Sequence, residues 1–479
     1  MAFALGMLTA FPAARAEDAD CRAGVDISYD TSLRLQVDYR CKSQQPVSFQ
    51  AMGGPARSYV TDARDGQGRA VSPTDNSWAV DAVGGEARLS YRVDLGALAR
   101  ANDSMQMALA RERSITALLG TWLLQPRLAG KTNPVIDIEP HTASADLKFA
   151  AGLLRAGGAW RLQDSSVFLA GYTTIGDFEL HELRLSSVED RRVVGAPPPL
   201  RLAILPGALA ISHADLVDWV NRTAMAEANF WDGFPAPGLL ITAVPRPGMA
   251  RVGFGRVVPG GGATMALEIG SQTERAGLYR DWVLVHEFIH TAMPFVTGRA
   301  SWLMEGTATW LEPIIRARAG WKPESEVWRE WISEMPRGLP GLEQGGSSSR
   351  FSVYWSGALV MLMTDLDVRR ASGGKIGLED CLRGVLQDGV RAYDRWSLGR
   401  YIARCDALMG GQHLAENVER YVNQGRSFDL AGLWRDLGVS LQDGQVRFDD
   451  SAPLAALRRT LVMGSPAHPP RQVALPQGL

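Results

Sequence analysis

Residues 282–290 read Trp282-Val-Leu-Val-His286-Glu287-Phe288-Ile289-His290. Residues four apart on a helix lie one above the other, so His286 and His290 can aim both imidazoles at one ion. Glu287 is turned about 100° away and reaches a water beside that ion rather than the ion itself. The apolar residues between them (Val283, Leu284, Val285, Phe288, Ile289) suit a buried helix. With seven His in the chain, composition yields on the order of 0.005 accidental matches to H-E-x-x-H. Two unpartnered imidazoles on a buried face would also cost desolvation.

A zinc site that works on substrate needs a third protein ligand and one open position. Downstream comes Trp302-Leu-Met-Glu305-Gly306-Thr307-Ala308-Thr309-Trp310-Leu311-Glu312, with fourteen residues between His290 and Glu305. That spacing allows a further helical turn, a reversal through residues 294–300 and a second helix packed on the first. Glu305 is the expected third ligand of one Zn²⁺ per chain. Glu312, seven residues on and on the same face, is the expected acceptor for an imidazole N–H. His141, His181, His213, His413 and His468 fall outside any ligand spacing, which argues against a closed, purely structural site.

Working outward, residues 200–207 and the runs GLLITAV and RVGFGRVV read as strands, and Ser212-x-x-Asp215 opens a helix. Gly260-Gly261-Gly262 precedes a strand, so no phosphate-cradling loop opens a helix, and hydride or phosphoryl transfer has no support. The glycines suit an edge strand whose backbone approaches an extended peptide. From 21 to 200 the chain reads as short strands, with a helix an option over 105–123. Residues 25–29 and 33–39 alternate as a hairpin around Asp30-Thr31-Ser32. Beyond 320 nearly everything reads as helix: 324–334, 351–371, 377–389, 396–409, 412–424 and 430–437.

The chain of 479 residues, 46% apolar and 21% charged, exceeds one ordinary domain and is neither fibrous, disordered nor polytopic. Fifty basic against 52 acidic residues leave −2, so no broad field would attract nucleic acid. Residues 1–16 are apolar and end in Ala14-Arg15-Ala16, the small-x-small pattern of a signal peptidase site. The expected mature chain starts at Glu17, has no transmembrane segment, and is periplasmic or secreted. Four cysteines give three possible pairings; the simplest is local, Cys21 with Cys41 and Cys381 with Cys405.

The expected domains are a signal peptide over 1–16, a β-rich N-terminal domain over 17–199 and a catalytic domain over 200–319. A helical domain over 320–464 and a disordered tail over 465–479 follow, with Ala196-Pro197-Pro198-Pro199 as the linker.

H-E-x-x-H followed by W-L-x-E-G-x-A-x-W-L-E resembles the gluzincin metallopeptidases, whose aminopeptidase N branch carries a similar Glu-Gly-x-Ala stretch. Tyr354-Trp355-Ser356-Gly357-Ala358, continuing through Asp365, Arg369 and Ser372-Gly373-Gly374-Lys375 to Leu378-Glu379-Asp380, is similar to the glycyl aminopeptidase branch. The likeness is specific over about 250–385. It implies an α+β multidomain fold: a β-rich N-terminal domain, a thermolysin-like zinc catalytic domain and a helical C-terminal domain. It implies zinc on His286, His290 and Glu305, Glu287 as general base for a zinc-activated water, and Tyr354 as hydrogen-bond donor to the oxyanion. A phenol with a pKa near 10 stays protonated at neutral pH, which suits that role.

The implied activity is hydrolysis of peptide bonds in a peptide or protein. Exopeptidase action stays open. The aminopeptidases carry a Gly-x-Met-Glu-Asn motif whose Glu holds the substrate's amino group, and Gly260-Gly261-Gly262-Ala263-Thr264, read as its counterpart, has no acid. Other readings are a zinc amidase acting on cell-wall peptides and a non-catalytic peptide-binding protein with a structural zinc.

Overall fold

The alternating stretch near the start folds as a hairpin. Cys21–Tyr29 and Leu33–Lys42 pair antiparallel, with Cys21 opposite Cys41 and a disulfide between them. Ala23, Val25, Ile27, Leu35, Val37 and Tyr39 are buried, because alternate side chains of a strand share a face. The computed structural model describes residues 18–183, 200–236, 238–465 and 468–478. The expected signal peptide and the 196–199 linker lie outside these.

The hairpin sits inside an eight-stranded sheet, which with smaller sheets makes up the β-rich N-terminal domain. The hydroxyls of Tyr39 and Tyr91 donate to the carbonyls of Leu124 and Trp122, at 2.7 and 3.1 Å, and tie the sheet to the segment beside it. Within 105–123 the chain forms strands Ala108–Arg111 and Ser114–Leu118 rather than a helix. Ser114–Leu118 is buried on both faces, which erases the two-residue period that would mark it as a strand.

A five-stranded sheet follows, in the order Glu179–Leu183, Leu200–Ile204, Leu239–Arg246, Ala263–Gly270, Val252–Pro259. The inner pairings are parallel and the two outer ones antiparallel, so Val252–Pro259 is an edge strand. The helix His213–Trp231 starts at a capping box between Ser212 and Asp215. The helix Val283–Thr291 is held between two cores. Val283, Leu284 and Phe288 join the sheet's core, while Val285 and Ile289 join that of the helical domain.

The long helix Ser301–Arg318 crosses Trp355–Ser372 of the helical domain at two glycines. A Cβ on Gly306 would lie 2.4 Å from the Gly357 carbonyl carbon, and one on Gly357 would lie 2.2 Å from the Trp302 oxygen. Backbone meets backbone there. Behind the crossing, Arg369 donates to Asp365 (2.9 Å), and Glu379 takes Arg318, Arg369 and Arg383 as ion-pair partners. A second disulfide, Cys381–Cys405, joins the helices Leu378–Gln387 and Leu398–Met409.

The expected disordered tail is not loose over 468–478. Val473 is buried, bonds to the Ala319 carbonyl at 3.0 Å, and accepts from the Trp321 indole at 2.8 Å. Its apolar side chain and backbone groups find partners on the end of the Ser301–Arg318 helix. The fold is α+β and multidomain, β-rich first and helical last. No described helix is long and apolar enough to cross a membrane.

Candidate active site

Three side chains converge where the helix Val283–Thr291 meets the helix Ser301–Arg318. His286 Nε2 lies 3.1 Å and His290 Nε2 3.5 Å from the same oxygen of Glu305. One ligand atom from each lies within 4.8 Å of the other two, and no other such group of His, Cys, Asp or Glu occurs among the described residues. Two imidazoles and one carboxylate around a common point are a zinc donor set, and the residues fit the ion. Burial lowers the His286 pKa. Burial alone would raise the Glu305 pKa, but hydrogen bonds from His286 and His290 hold it far below the usual range.

Glu287 leaves the ligand cluster and faces the edge strand, where its Oε2 accepts the Val257 N–H at 2.9 Å. Burial raises its pKa, opposed by His290, the Val257 N–H and the Arg256 charge. Gly255 makes the close approach possible, since a Cβ there would stand 2.7 Å from both Glu287 Cγ and Val283 Cγ1. Tyr354 caps the start of the Trp355–Ser372 helix, with its ring centroid 6.2 Å from that of His286. Partial burial, then the charges of Glu305 and Glu287, raise its pKa, so the hydroxyl keeps its proton.

These residues line an open cleft of about 770 Å³ whose walls come from the edge strand, the helices Val283–Thr291 and Ser301–Arg318 with the segment between them, Tyr354, and Met105 and Gln106 of the N-terminal domain.

Solved structures share this architecture. An aminopeptidase N family protein from Idiomarina loihiensis matches with a TM-score of 0.66 at 15% identity, over 88% of this chain and 79% of that one. An M1 zinc metallopeptidase mutant from Deinococcus radiodurans, bound to a Tyr-Ser-Ala substrate, matches with a TM-score of 0.51 at 14% identity, over 86% and 94%. Aminopeptidase A of Legionella pneumophila, in complex with aspartic acid, matches with a TM-score of 0.51 at 11% identity, over 85% and 50%. No family model matches the chain, and no curated protein sequence does. This chain has the M1 aminopeptidase fold.

Within that fold, two expectations are corrected. Gly260, Gly261 and Gly262 are buried against the N-terminal domain and do not line the cleft. Cβ atoms on Gly260 and Gly262 would meet the carbonyl oxygens of Leu169 and Gly152 at 1.8 and 1.9 Å. The close approach these glycines permit is domain docking, and the cleft strand lies just before them. There the chain reads Gly253-Phe254-Gly255-Arg256-Val257, so the stretch of edge strand that lines the cleft carries an arginine and no acid. Paired glycines in a strand pattern were the available signal, and the triple glycine seven residues later masked it.

Glu312 does not hold an imidazole. Its Oε1 accepts from Arg316 Nη1 at 2.9 Å, while His290 Nδ1 is buried without a partner among the described residues. Seven residues along a helix is a rise of about 10 Å, which carries Glu312 past the ligands, and Arg316 one turn further on claims it. Sequence reasoning also missed Phe254, Trp282 and Phe295, exposed aromatics that line the cleft.

Proposed function

We propose that this chain is an exported zinc metallopeptidase that hydrolyses peptide bonds. The observation that carries the reading is the convergence of His286, His290 and Glu305 on one point, with Glu287 and Tyr354 lining the same open cleft. The M1 fold supports it, and one protein of that fold is described with a bound peptide.

His286, His290 and Glu305 would hold one zinc ion. When bound, zinc supplies Lewis acidity, which polarises a carbonyl and acidifies water. Glu287, raised in pKa yet steadied by the Val257 N–H, takes a proton from the attacking water as oxygen bonds to the carbonyl carbon. It gives that proton to the leaving nitrogen as the C–N bond breaks. The Tyr354 hydroxyl donates to the carbonyl oxygen as negative charge develops on it. The unpaired side of Val252–Pro259 offers its backbone to an extended peptide.

The test is zinc analysis and cleavage of a mixed peptide library. We expect one zinc per chain, and Glu287→Gln should keep the metal while turnover falls about 10²–10⁴-fold. Absence of cleavage by zinc-loaded protein, or loss of zinc in Glu287→Gln, would overturn the catalytic reading. Export rests on Ala14-Arg15-Ala16 and on the two disulfides. Protein recovered from the periplasm or medium should begin at Glu17; a full-length cytoplasmic form alone would refute export.

A further inference from the structure

Apart from the residues grouped around the candidate metal site, the charged lining of the cleft is cationic. Its lining contains two carboxylates, Glu287 and Glu305, both engaged by the catalytic constellation, and three arginines, Arg256, Arg299 and Arg395. No carboxylate among the described residues forms an ion pair with any of the three. Arg256 donates one N–H to the Met105 carbonyl at 2.8 Å, and Arg395 stacks 4.9 Å over the Phe295 ring. Arg256 also hydrogen-bonds the Tyr172 hydroxyl, but a guanidinium presents five donors in a fixed fork, so these two bonds leave it with donors to spare.

Arg256 also sits within electrostatic reach of the chemistry, since its charge acts on Glu287. Around it Phe254, Trp282 and Phe295 stand 58%, 50% and 41% exposed on the cleft lining. Large exposed aromatics grouped in one concavity mark a binding surface.

We infer that the cleft selects its substrate by a carboxylate, received by Arg256 on the edge strand with Arg299 and Arg395 beyond, and rejects a free α-ammonium at that place. The substrate class is an acidic peptide with apolar or aromatic neighbours to the charge. The carboxylate comes from an Asp or Glu side chain or from a chain terminus, and the chemistry of recognition is the same. This inference rests on the peptidase reading for its consequence in turnover, but not for binding.

The experiment uses an alanine-based nonapeptide, acetylated and amidated, with Phe-Glu at its centre. Three companions complete the set: a Gln replacement, the Gln peptide with a free terminal carboxylate, and the Glu peptide with a free terminal amine. The ratio kcat/KM is read on zinc-loaded protein, and Kd on Glu287→Gln by calorimetry. The blocked Glu peptide should exceed its Gln counterpart about tenfold in both, the scale of one charge-assisted bidentate contact. Recovery of the preference by the free carboxylate on the Gln peptide assigns the source to a terminus, and its absence assigns it to the side chain.

Arg256→Gln keeps a donor for the Met105 carbonyl and should bring the Glu-to-Gln ratio close to one. Arg256→Glu should invert the preference and favour the free amine. Arg299→Gln and Arg395→Gln should each lower the ratio by about threefold. Equal handling of the blocked Glu peptide, its Gln counterpart and the Gln peptide with a free carboxylate, a wild-type preference for the free amine, or an unchanged carboxylate preference in Arg256→Gln would each overturn the inference. Selective binding without any cleavage would sink the peptidase reading and leave the selection standing.

Discussion

At the scale of single residues, the roles separate by conservative changes. Tyr354→Phe removes one donor to the developing oxyanion and leaves the ring against His286. Turnover should therefore fall roughly 10²–10³-fold with KM little changed, and steady-state kinetics on a good peptide reads this directly. Normal kcat in that variant would detach the helical domain from the chemistry. His286 and His290 were legible in the sequence because helical periodicity puts them on one face and turns Glu287 away from it, and Glu305 because the spacing leaves room for a second helix to return to that face. Arg256 was not, because an edge strand carries no such internal ruler. Only the pairing of Val252–Pro259 with Ala263–Gly270 makes clear which glycines border the cleft.

At the scale of elements, the packing of His213–Trp231 against Ser301–Arg318 encloses two acids. Burial pushes the Glu227 carboxyl well above its ordinary range, and raises that of Glu312 to about 7 against the pull of Arg316. A carboxyl raised from 4.5 to about 7 on folding holds its proton longer in the folded chain than in the unfolded one. Its contribution is complete below pH 4.5 and is lost as pH rises through 7, about 3 kcal/mol over that window. Glu312→Gln should abolish this loss. Thermal unfolding from pH 4.5 to 7 should show the variant gaining on the wild type as pH rises, and parallel curves would contradict the assignment. The hairpin at 21–42 and the helix Glu324–Glu334 were readable because each has one buried and one wet face. Ser114–Leu118, dry on both, carried no period to read, and Glu312 was misread because its nearest partner lay on its own helix.

At the scale of the whole molecule, the N-terminal domain is fitted to the catalytic sheet rather than tethered to it. The Tyr172 N–H bonds Thr264 Oγ1 at 2.8 Å, Thr174 meets Thr242 at 2.8 Å, and Met105, Leu109 and Tyr172 share a core with Leu205, Val244 and Ala266. Gly260→Ala would drive a methyl into the Leu169 carbonyl and should cost about 1–3 kcal/mol, seen as a lower unfolding midpoint. Gly399→Ala, with open space around it, is the control and should not fall. The other domain joint, where Gly306 rests on Gly357, follows a different logic. Gly306 adjoins Glu305 of the candidate metal site, and Gly357 is three residues from Tyr354, so the span from that cluster to the phenol crosses a contact of main chain on main chain. Side chains elsewhere in the two helices can drift over generations without altering that contact. A lineage can thus rewrite most of its interior and keep the same distance between Lewis acid and proton donor, provided two hydrogens stay where methyl groups would be.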